Sequence, residues 1–85
     1  MSNTYTVTLL MPQREFYVHD NDNYLRRHKS HALCRIRENG DRAYMIRVAG
    51  VKSSQEAAAY GLNEIRHLWG VDVPGMEREV AYAVD

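Results

Sequence analysis

His28, His31 and Cys34 stand at i, i+3 and i+6, with His19 upstream, and imidazole nitrogen and thiolate sulfur are the donors that hold zinc. Zinc takes about four such ligands, so this set would have to use every one, with no CxxC or HxxxH pair to anchor it. Residues three apart on a strand also fall on opposite faces. A buried thiol at Cys34 and solvent-facing imidazoles are the expectation, and no metal or cofactor is assigned. Asp20-Asn21-Asp22-Asn23 begins as a calcium loop begins, but the sixth position, which needs glycine, is Leu25, and the twelfth, which needs glutamate, is His31. The run reads as a polar turn. The glycines are isolated, so no phosphate-cradling loop is present. A catalytic cysteine must be exposed in electropositive surroundings, and Cys34 reads as core-facing. Glu77 and Glu79 sit on a terminal segment where acids serve solubility. No nucleophile, base and orienting group can be assembled from spacing, so the chain is read as non-enzymatic.

Arginine supplies the remaining chemistry. Residues 24–52 carry eight basic side chains (Arg26, Arg27, Lys29, Arg35, Arg37, Arg42, Arg47, Lys52) against Glu38 and Asp41, a balance of +6. Residues 53–85 carry Arg66 and Arg78 against six acids, a balance of −4, and residues 1–23 supply the other −2. The formal net charge of +0 therefore hides a dipole. Zero net charge argues against bulk electrostatic capture of nucleic acid, although a local patch remains open to it. Arg35, Arg37 and Arg47, with Leu33 and Met45 among them, have the composition of a protein interface, in which guanidinium groups accompany apolar anchors. Arg26 and Arg27 extend the basic set. A solvated basic face is the plainer alternative.

The elements that position these residues follow from periodicity. Tyr5, Val7 and Leu9 alternate with Thr4, Thr6 and Thr8, which predicts a half-buried strand ended at Pro12. Arg14–Val18 returns as a second strand with Phe16 and Val18 on one face. Ala32–Ile36 and Arg42–Val48 flank Glu38-Asn39-Gly40. A three-residue loop with Gly40 in the left-handed region gathers Ala32, Cys34, Ile36, Tyr44, Ile46 and Val48 on one face. It sends Leu33, Arg35, Arg37, Ala43, Met45 and Arg47 to the other. A two-residue turn would mix arginines with Ile46 and Val48, so the first register is preferred. Ser53-Ser54-Gln55-Glu56 is a capping box, followed by an apolar stripe of Ala58, Gly61, Leu62, Ile65, Leu68 and Trp69 and a stop at Gly70. Gly61 within the stripe predicts close approach of the helix to the sheet, and Trp69 reads as a core anchor. Val80, Tyr82 and Val84 alternate with Glu79, Ala81 and Ala83 as a final strand.

The predicted fold is α+β: a two-layer sandwich in which an antiparallel sheet of four to five strands, in the order β-β-β-β-α-β, carries one helix over about 54–69 on one face. Residues 1–85 read as a single domain, because 85 residues leave no room for a second. One cysteine excludes an internal disulfide and fits a reducing compartment, so a cytoplasmic location is expected. No apolar run approaches the roughly 20 residues that span a bilayer, and the N-terminus lacks the basic and apolar regions of a signal peptide. A chain this short buries only about 60–65% of its unfolded surface, and with exposed strand edges this predicts a homodimer.

The stretch AYMIRVAGVKSSQEAAAYGLNEI looks like the strand-to-helix passage of double-stranded-RNA-binding domains. Ser53, Ser54 and Gln55 stand where that family places lysines, and a strand is expected after the helix, so the family's RNA contacts are not carried over. The order hairpin–helix–strand is similar to that of small phage-made inhibitors, including some anti-CRISPR proteins and RNA-polymerase inhibitors. That likeness of architecture and size implies a phage or mobile-element accessory protein that binds and inhibits a host complex. The functional expectation is a small protein-binding module with an acidic partner. The alternative is nucleic-acid binding through the basic sheet face, with Tyr17 or Tyr24 stacking on bases.

Overall fold

A computed structural model describes residues 3–20 and 30–71. It is an α+β fold: strands β1 (Asn3–Met11), β2 (Glu15–Asp20), β3 (Ala32–Ile36) and β4 (Arg42–Val51), then helix α1 (Ser54–Trp69). The strands form one antiparallel sheet in the order β2-β1-β4-β3. β2 and β3, consecutive in the chain, thus lie on opposite edges, with β1 and β4 at the centre. The strand expected over 79–84 lies outside the described residues.

Alternation in β1 and β2 places Tyr5, Val7, Leu9, Phe16 and Val18 on one face, where all are buried. Tyr44, Ile46 and Val48 of β4 join them under the helix. The helix lies over β4, β1 and β2. Its buried face is Ala57, Ala58, Gly61, Leu62 and Ile65. Ser53 caps it, its hydroxyl accepting from the Glu56 N–H at 3.2 Å, while Glu56 Oε2 accepts from the Lys52 N–H at 3.4 Å. Gly70 ends it at φ 68, its N–H donating to the Arg66 carbonyl at 2.8 Å. At Gly61 the helix approaches so closely that a Cβ would lie 2.6 Å from Val7 Cβ, which is why glycine interrupts an otherwise strong helical sequence.

The hairpin register is the expected one. Cys34 opposes Tyr44, Leu33 opposes Met45, and Arg35 opposes Ala43. The Arg37 N–H donates to the Asp41 carbonyl at 2.7 Å and closes the three-residue loop, with Gly40 at φ 90.

Three burial expectations are corrected. Ile36, which opposes Arg42 in the ladder, is 68% exposed. Cys34 is half-buried against the core rather than inside it. In both cases the reason is that β3 is an edge among the described strands while the helix sits over β4, β1 and β2. Leu68 is 45% exposed: in the last helical turn Trp69 is the residue held to the sheet, its ring 5.2 Å from that of Tyr44.

Candidate functional site

The sheet face opposite the helix is built from rows of directly opposed residues running β2-β1-β4-β3. One row is Glu15, Leu10, Ala43 and Arg35, the next Tyr17, Thr8, Met45 and Leu33, and the third His19, Thr6 and Arg47. Arg37, continuing the β3 ladder beyond Ile36, stands two residues from Arg35 and on the same side. The register therefore brings Arg35, Arg37, Arg47, Leu33 and Met45 to one face. Arg26 and Arg27 lie outside the described residues.

An open groove of about 760 Å³ runs over this face. Leu10, Thr8, Ala43 and Met45 form its floor, and Arg35, Arg37, Glu38 and His19 stand on its rim. Ala43 is the smallest side chain in these rows and is 6% exposed, walled in by the longer residues around it.

The charges on the face differ in what they engage. Among the described residues, the Arg35 and Arg37 guanidinium groups, both on exposed residues, have no hydrogen-bond or ion-pair partner. The nearby acids have neutral partners instead. Asp41 accepts from Gln13 Nε2 and from Asn39 Nδ2, which also ties the β1–β2 turn to the β3–β4 loop. Glu15 Oε2 accepts from the Tyr17 hydroxyl at 2.5 Å, and that bond raises the Tyr17 pKa above the ordinary phenol value, because ionisation would leave two anions facing each other. The Tyr17 ring stacks on His19, centroids 6.0 Å apart and planes 17° apart. Arg47 differs from the other two arginines: it is half-buried and already engaged. Between His19 and Arg47, Thr6 is 1% exposed, and its Oγ1 has no hydrogen-bond partner.

Leu10, Thr8, Ala43 and His19 were not among the expected site residues. Their places depend on β1 lying between β2 and β4, and no local spacing encodes that neighbourhood. His31 precedes β3, and among the described residues no cluster of three or more His, Cys, Asp or Glu side chains is placed to hold a metal. No helix among the described residues is long and apolar enough to cross a membrane. Comparison of the chain with protein-family models, with curated proteins and with solved structures finds no match.

Proposed function

We propose that this chain is a small non-enzymatic protein-binding module that works through the open face of its sheet and takes a partner with an acidic surface. The observation that carries the reading is the pair of exposed guanidinium groups at Arg35 and Arg37, without a partner among the described residues, beside an apolar floor of Leu10, Ala43 and Met45. Exposed arginine next to aliphatic side chains is the composition of an interface centre, where desolvation makes each charged hydrogen bond count. Inhibition of a host complex by a phage or mobile-element protein is the biological setting that size and architecture suggest. The single cysteine supports a reducing, cytoplasmic compartment. Self-association belongs to the same reading, through the outer edge of β3, where Ile36 is exposed and no described strand pairs. Sedimentation over a wide concentration range tests it, and a monomer throughout removes it.

Nucleic-acid binding is the second reading, favoured by the stacked Tyr17 and His19 rings on the same face. The charge pattern weighs against it: among the described residues, Arg35, Arg37 and Arg47 share the face and its rim with the acids Glu15 and Glu38. A polyanion would meet repulsion along with attraction. Capture from the source cell with two baits, wild type and Arg35→Glu/Arg37→Glu, tests the main reading. A protein retained by the first and lost by the second supports it; equal recovery on both refutes it. A salt-titrated shift assay with mixed DNA and RNA tests the other, since phosphate-driven binding weakens steeply with salt.

A further inference from the structure

β4 runs on to Val51, whereas β3 begins at Ala32, opposite Ile46. The Arg47 N–H donates to the His31 carbonyl at 2.8 Å across the edge that β3 lines. Backbone groups of alternate residues point to the same side of a strand, so the Ala49 N–H and carbonyl face that same edge. Among the described residues no strand pairs with the edge beyond the Arg47–His31 bond, and Ala49 is exposed. An unpaired strand edge is a template for a further strand. An open cleft of about 530 Å³ borders it, with Val48 and Gly50 on one wall and Glu56, Tyr60 and Glu64 on the other. These three helical residues are spaced four apart and line one face of α1. Tyr60 is 59% exposed. Glu64 is half-buried and has no hydrogen-bond or ion-pair partner among the described residues. A phenol ring between two carboxylates is a seat for a cation.

We infer that the outer edge of β4 at Ala49 accepts a short extended segment of a protein partner as an added antiparallel strand, with a lysine or arginine of that segment lying on Tyr60 between Glu56 and Glu64. The segment residue opposite Ala49 exchanges two backbone hydrogen bonds with it and points to the open face of the sheet. Its two neighbours point to the helix side and enter the cleft. Backbone pairing gives attachment to any extended chain, and the acidic cleft selects a basic one. This surface is separate from Arg35 and Arg37 and takes the opposite charge, so it does not rest on the open-face reading.

The test is an amide chemical-shift titration of the full chain, with hydrogen exchange at Ala49, using the peptide acetyl-Thr-Lys-Thr-Lys-Thr-amide. One control peptide carries glutamate for both lysines, and another carries an N-methyl group on the central threonine. The expected result is shifts centred on Ala49 and Tyr60, slowed exchange of the Ala49 N–H, about fivefold weaker binding of the N-methyl peptide and no binding of the glutamate peptide. Tyr60→Ala and Glu64→Gln should each weaken binding about two- to fivefold while circular dichroism shows the fold kept. Arg35→Ala/Arg37→Ala should bind the peptide as the wild type does, so failure here leaves the open-face reading to its own test. Equal binding of the N-methyl peptide overturns the inference, because the contact is then one of charge alone. Equal binding of the glutamate peptide, or no binding of the lysine peptide at millimolar concentration, also overturns it. Protection of the Ala49 amide in the peptide-free chain overturns it too: the edge is then already filled, by a second copy where protection rises with protein concentration.

Discussion

Replacing Gly61 by alanine puts a methyl group where Val7 already stands. The new Cβ would lie 2.6 Å from Val7 Cβ, 2.6 Å from Cγ2 and 2.7 Å from Cγ1. Carbon atoms in contact sit about 3.5–4.0 Å apart, so relief requires the helix to retreat by about 1 Å. Val7 cannot give way, being fully buried on a central strand and paired with Val18 on one side and Ile46 on the other. Retreat loosens Ala57, Ala58, Leu62 and Ile65 from the sheet together. A gap of about 0.5–1 Å already forfeits a quarter to a half of each dispersion contact. Overpacking of this kind costs about 1–3 kcal/mol, and a rigid β-branched neighbour puts this site at the upper end. Alanine returns about 1 kcal/mol of helix propensity. The net expectation is a loss of about 2 kcal/mol, or about 8–16 °C in melting temperature for a domain of this size. Thermal and urea unfolding followed by circular dichroism read it. In Val7→Ala/Gly61→Ala two of the three clashing atoms are gone, so the double variant should lose less than the sum of the single variants by at least about 0.5 kcal/mol. A Gly61→Ala protein that melts at or above the wild-type temperature would refute the close approach.

Three further expectations follow from single contacts. Ser53→Ala removes the hydroxyl that accepts from the Glu56 N–H and should cost about 1 kcal/mol, read as a lower urea midpoint with an unchanged slope. Glu15→Gln should bring the Tyr17 phenol back down toward its ordinary value of 10.0, read from phenolate absorbance against Tyr17→Phe. Because the folded-state value is raised, the contribution of this hydrogen bond to stability is present below pH 10.0 and is lost as pH rises through the folded-state pKa; a titration that Glu15→Gln leaves in place removes the link. Cys34, half-buried against the core, should react with a thiol reagent more slowly in the native protein than in urea, and equal rates would contradict its packing.

Much of the local structure was legible because it is carried by short-range patterns. Alternation fixed the faces of β1 and β2, and polarity segregation chose between hairpin registers, placing Arg35 and Arg47 away from Cys34 and Ile46. The capping box and Gly70 bounded the helix. Strand order was not legible, because pairing of β1 with β4 joins residues some forty positions apart with no covalent turn to announce it. The Leu10–Ala43 pair, and with it the groove floor, was therefore missed. The exposure of Ile36 was missed for the same reason: its pattern is that of a core residue, and only its place on an edge strand uncovers it. Leu68 shows the limit of periodicity at a helix end, where the angular position persists after the neighbouring layer has been left.

The central claim is that the open sheet face serves contact and not folding, and paired measurement of melting temperature and affinity on Arg35→Ala/Arg37→Ala tests it most directly. Exposed charges contribute within about 0.5 kcal/mol each to stability, so the variant should melt within about 4–8 °C of wild type. Arginines desolvated at an interface cost about 2 kcal/mol or more apiece on truncation, so affinity of the double variant for the captured partner should fall about 700-fold or more. Ile46→Ala is the control with the opposite signature: it removes buried methyl groups beneath the helix and should cost about 2–5 kcal/mol in folding. An arginine variant that keeps its fold and binds the partner with full affinity would contradict the account and leave the basic face merely solvated.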